Sequence, residues 1–91
     1  MKKIANNQAR KYVQNKQAFI GSNLYAVQSG SHYVVYSYGE HFPLFVHLSA
    51  QWFGNSDKYS VTTSKHYSQA HPHCPQIEMR TTAELRAMIG A

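Results

Sequence analysis

The stretch 59–69, YSVTTSKHYSQ, carries the densest hydrogen-bonding chemistry in the chain. Seven of its eleven side chains bear hydroxyls (Tyr59, Ser60, Thr62, Thr63, Ser64, Tyr67 and Ser68), and Lys65 and His66 stand among them. Hydroxyls beside one or two cations, with no carboxylate in the run, are what a phosphate backbone or an unpaired base meets on a protein surface. Tyr59, His66 and Tyr67 could also stack on bases, at about 1–3 kcal/mol each. The same composition suits a Thr/Ser-rich edge strand whose hydroxyls are wetted by water. A second group follows from His41, directly after YVVYSYGE. Beside Tyr36 and Tyr38 at a sheet end it would complete an aromatic pocket for a base or a partner side chain; otherwise it is a turn residue satisfied by backbone.

His66, His71, His73 and Cys74 offer the imidazole and thiolate that zinc takes. Their spacing is poor, because a structural site wants paired ligands on each of two elements and Pro72 interrupts the cluster. An exposed histidine-rich loop over 64–75 is expected instead, with no metal and no cofactor. The four carboxylates, Glu40, Asp57, Glu78 and Glu84, are scattered, which argues against a two-metal nuclease or a glycosidase pair. Cys74 beside His73 could form a thiolate nucleophile, although one cysteine among six histidines makes such proximity unsurprising. A metal-independent ribonuclease needs only two histidines and a lysine, and His41, His66 and Lys65 would be that set.

Charge is laid out unevenly. Of nine basic residues, Lys2, Lys3, Arg10, Lys11 and Lys16 fall in the first 17 positions with no acid among them, and the net charge is +5. Lys3, Arg10 and Lys11 would draw a polyanion from a distance, nucleic acid or an acidic protein face. Exposed histidines would strengthen that attraction on mild acidification.

The elements that must position these groups follow from periodicity. Residues 3–17 read as a helix with Ile4, Ala5, Ala9, Tyr12 and Val13 on one side. Strands are expected at 24–28 and 32–38, joined by a tight turn at Ser29-Gly30-Ser31. A strand at 41–48 is pushed toward an edge or a bulge by Pro43. Trp52 and Phe53 precede a turn at 54–57, and 58–63 reads as a further strand. A short strand at 76–79 leads to Thr81-Thr82-Ala83-Glu84, a capping box opening a C-terminal helix that Gly90 ends. The expected architecture is one α+β domain over 1–91: a four- or five-stranded antiparallel sheet flanked by an N-terminal and a short C-terminal helix. No apolar run is long enough to span a membrane, the first residues lack a signal-peptide core, and one cysteine excludes an intramolecular disulfide, all consistent with a cytoplasmic setting.

The words YVVYSYGEHFP (33–43) and KYSVTTSKHYSQ (58–69), with Trp52 between them, resemble a family of small phage-encoded proteins of unknown function. That resemblance carries no catalytic residue. It implies a phage accessory factor in a bacterial host, a class that includes inhibitors of CRISPR and other defences. The expected function is a non-enzymatic binding protein docking on nucleic acid or a nucleoprotein, as a monomer or homodimer. The alternatives are a protein-directed inhibitor of a host defence system and the small ribonuclease.

Overall fold

In the sequence HYVVYS every side chain but the first is apolar or small enough to bury, and β4 (His32–Ser37) is buried along almost its whole length. Successive strand residues point to opposite faces, so Tyr33 and Val35 enter one core while Val34 and Tyr36 enter another. A strand loaded on both faces must lie inside its sheet, and β4 does. It pairs antiparallel with β3 (Leu24–Ser29) and with β5 (Pro43–Leu48). Gly30, at φ 57°, supplies the left-handed backbone of the β3–β4 hairpin. A computed structural model describes residues 2–39, 42–57, 61–74 and 76–90, and of residues 61–63 the backbone alone.

The described strands form a seven-stranded mixed sheet in chain order, which corrects the expected four or five antiparallel strands. The additions lie at both sides. β1 (Lys2–Lys3) runs parallel to β2 (Phe19–Ile20), and β6 (Gln51–Asn55) runs parallel to β7 (Ile77–Arg80). Strands β2 to β6 form an antiparallel meander. β6 escapes a reading of turn chemistry because its hairpin with β5 is made by Ser49 and Ala50, both in left-handed backbone at φ 52° and 62° where Gly or Asn is usual. Gly54 and Asn55, expected in a turn, close that strand. Pro43 opens β5, an internal strand, and the register shifts opposite it between Val35 and Tyr36; the bulge expectation holds and the edge expectation does not.

Parallel neighbours require crossovers. A 3-10 turn at Asn6–Gln8 followed by α1 (Ala9–Gln14) connects β1 to β2, and α2 (Val61–Ala70) connects β6 to β7. β1 and β6 run the same way and both crossovers step in the same direction across the sheet. The right-handed rule therefore sends both helices to one face, where α1 and α2 touch. The expected helix over 3–17 is thus shorter, because Lys2–Lys3 is drawn into the sheet and the Ile4 amide donates to Ile20 O, 2.9 Å.

The expected strand at 58–63 and loop at 64–75 are also corrected: residues 61–70 are helical. Val-Thr-Thr has strand character, yet packing overrides it, with His66 and Ala70 buried one turn apart and Tyr67 half-buried against Phe45, rings 4.6 Å apart. Beneath α1 and α2 lies the larger core, including Val13, Phe19, Leu24, Tyr33, Val35 and Phe45. On the other face α3 (Thr82–Met88) inserts Leu85 among Val34, Tyr36 and Val46. Its capping box is complete: Thr81 Oγ1 accepts from the Glu84 amide, and Glu84 Oε1 accepts from the Thr81 amide. Gly90 follows at φ 78°.

Candidate nucleic-acid interface

Between the Asn6–Gln8 turn, the β2–β3 connection and α2 runs an open groove of about 510 Å3, lined by Ala5, Asn6, Asn7, Ser22, Asn23, Lys65, His66 and Gln69. Its walls are clipped together by Asn6. The Asn6 Nδ2 donates to Ser22 O, 2.9 Å, and its Oδ1 accepts from the Ser22 amide, 2.8 Å. The clip needs a glycine next door, since a Cβ on Gly21 would stand 2.2 Å from Asn6 Oδ1.

Tyr38 stands beside the groove. It leaves β4 in left-handed backbone, φ 67°, and its amide donates to Asn23 O, 2.9 Å. The residue is 59% exposed, and its ring lies 5.5 Å from the ring of His66. That backbone turn separates two residues expected to share a pocket. Tyr36 stays in the sheet on the α3 side, buried and stacked on Tyr25 with rings 5.2 Å apart. Strand alternation alone places Tyr36 and Tyr38 on one face, and the positive φ breaks the alternation.

His66 is a wall of the groove rather than an exposed contact. It is 4% exposed, and its Nδ1 lies 2.8 Å from Ser37 Oγ, a fully buried hydroxyl. Burial, with the neighbouring Lys65 charge adding to it, holds His66 below the ordinary imidazole pKa. It supplies no positive charge near neutrality, contrary to the expectation of an exposed, acid-responsive histidine. Lys65 and Ser64 are exposed on α2, and among the groove's described lining residues there is no carboxylate. His41, Tyr59 and Ser60 lie outside the described residues, as do the side chains of Thr62 and Thr63.

The remaining expected contacts divide by role. Lys3 and Lys11 are exposed. Arg10, expected as a long-range cation, is bound to main chain instead: its Nε donates to His71 O at 2.8 Å and its guanidinium to Ser68 O at 2.7 Å. It thereby satisfies carbonyls at the C-terminal end of α2, where a cation also suits the helix dipole. Gln14 Nε2 extends the seam to Pro72 O, 2.9 Å. Tyr67 points away from the groove, toward Met79 Sδ at 3.6 Å and a second cavity of about 340 Å3 lined by Leu44, Asn55, Ser56, Asp57, Ser64, Tyr67, Ser68 and Met79. Asp57 accepts there from the Thr82 amide, 2.8 Å, and the Thr82 hydrogen bonds hold its carboxyl below the usual carboxylate range. That ionised group makes the second cavity unsuited to phosphate.

Among the described residues no cluster of three His, Cys, Asp or Glu side chains converges. His71 Nδ1 accepts from the His73 amide, 2.9 Å, and Cys74 Sγ lies against Gln76 O, 3.7 Å. Four of the groove's eight lining residues are amides, Asn6, Asn7, Asn23 and Gln69, against the single lysine Lys65; of these, Asn23 lies in no stretch that the sequence marks for binding. No family model, no curated protein and no solved structure matches the chain, so the groove is read from its own chemistry.

Proposed function

We propose that the chain is a non-enzymatic binding protein that docks on nucleic acid or a nucleoprotein through the groove between the Asn6–Gln8 turn and α2. The observation that carries this reading is the coincidence, at one place, of an exposed aromatic ring, a lysine and neutral amides with no described acid among them. Tyr38 offers a face on which a base stacks. Lys65 meets a phosphate, and Asn7, Asn23 and Gln69 present donors and acceptors to base edges. Lys2, Lys3 and Lys11, exposed and outside any described ion pair, add long-range attraction.

Fluorescence anisotropy with labelled single-stranded and duplex oligonucleotides, titrated from low to moderate salt, tests the reading. Affinity should fall with a log–log slope of about 0.7 per phosphate neutralised on single strands and about 0.9 on duplex. An affinity indifferent to salt sinks it. The exposure of Tyr38, a residue type common at interface hot spots, favours a second reading in which a host-defence protein is the partner. A partner that remains bound after nuclease treatment and is lost with Tyr38→Ala distinguishes that case.

A further inference from the structure

The two edges of the sheet are built differently. β1 ends one side with Lys2 and Lys3, both exposed. Pairing that edge with a copy of itself would set lysine against lysine, the usual guard against strand addition. β7 ends the other side with Ile77-Glu78-Met79-Arg80, and no described strand lies beyond it.

The main chain of β7 shows which groups face outward. Arg80 O accepts from the Ser56 amide on the β6 side, 2.8 Å. Alternate residues of a strand turn their amides and carbonyls to opposite edges, so those of Met79 face the open side. Consistent with this, Met79 O accepts from the guanidinium of Arg80, 2.8 Å, rather than from another strand. On the α3 side of the sheet Arg80 also pairs with Glu78, 2.6 Å, and lies over the Phe53 ring. On the α2 side Met79 is 47% exposed beside the second cavity.

This edge is self-complementary. We propose that β7 pairs antiparallel with β7 of a second copy of this chain, about a two-fold axis at Met79, to make a homodimer with one continuous sheet. In that register Met79 faces Met79, each amide donating to the other's carbonyl. Glu78 of each copy falls directly opposite Arg80 of the other, at the separation where opposite charges stabilise a sheet. The bonds that Arg80 now makes to its own Met79 O and Glu78 are re-formed across the axis. The Met79 side chains meet next to the cavity floor made by Leu44 and Tyr67. An isologous contact of this kind closes at two copies.

Sedimentation equilibrium of the full chain without nucleic acid tests the pairing independently of the function proposed above. Wild type should reach twice the 10.4 kDa monomer mass as concentration rises. Glu78→Lys sets lysine against arginine and Arg80→Glu sets glutamate against glutamate, so each alone should remain monomeric. Mixed in equal amounts the two variants should form a heterodimer, because every cross-strand pair is then opposite in sign; a misfolded variant could not do this. A wild type that stays monomeric at its highest soluble concentration overturns the proposal. So do single variants that still dimerise, a mixture that does not, or assemblies larger than two.

Discussion

On the proposed reading Tyr38 and Lys65 would carry different parts of one interaction, and their substitutions should separate. Tyr38→Ala removes a stacking platform, and oligonucleotide affinity should drop by about 1–3 kcal/mol with the salt slope unchanged. Lys65→Ala removes one phosphate contact, and the single-strand slope should shrink by about 0.7. Anisotropy titrations at several salt concentrations read both. Gly21→Ala acts one step back: its Cβ would displace Asn6 and break the two hydrogen bonds to Ser22, costing about 1–3 kcal/mol of stability. Thermal melting should show it as a lower Tm, together with weaker oligonucleotide binding. Lys65 and Tyr38 were legible as contact candidates because cations and aromatics declare their chemistry by type. Arg10 and His66 are candidates by type as well, but their places in the structure are not legible, since nothing local says that one will find the carbonyls of Ser68 and His71, or that the other will be buried against Ser37.

Among the elements, those with local signals were readable and those held by distant packing were not. The Gly30 hairpin and the Thr81–Glu84 capping box lie within a few residues of themselves and were read from them. The sequence of α2 reads as a strand and a loop, because its β-branched start and polar body suit neither helix propensity nor an amphipathic stripe; its burial of His66 and Ala70 against the sheet is decided by β4 and α1. The β5–β6 hairpin was hidden by a turn of unusual residues. Replacing Ser49-Ala50 by Asn-Gly should therefore stabilise the protein by about 1–2 kcal/mol, by relieving left-handed backbone at side-chain-bearing residues. Chemical denaturation would show a higher midpoint at constant m-value. The α1–α2 seam gives the contrasting pair. Arg10→Ala leaves the carbonyls of Ser68 in α2 and of His71 just beyond it without their donor and should cost about 1.5–3 kcal/mol. Lys11→Ala, at an exposed position one residue later, should leave the denaturation midpoint nearly unchanged and weaken only nucleic-acid binding.

For the whole molecule, chain order becomes charge order. The exposed Lys2 and Lys3 sit on the β1 edge, and the described acids Asp57, Glu78 and Glu84 gather toward β7 and α3. The asymmetry visible along the chain is thus preserved in space, although the number of strands that carry it was not legible. Acid should act on the fold before it acts on binding. Burial lowers the pKa values of His47, His66 and His71, with Lys16, Lys65, and His73 and Arg10 as the respective added causes. The unfolded chain therefore binds protons more readily, and stability, fully present above about pH 6.5, is lost as pH falls below it. Tm measured from pH 7.5 downward should decline through that window, and less steeply for His66→Gln. A Tm that rises on acidification would contradict the burial of these imidazoles. The sequential strand order has one more consequence, for synthesis. Each strand from β2 to β6 finds its mate in the segment just made, so a nascent chain can zip its meander together as it emerges. The Arg10 clasp, like the pairing of β6 with β7, must wait until later segments have been made, and an interrupted ribosome would leave α1 without its mate.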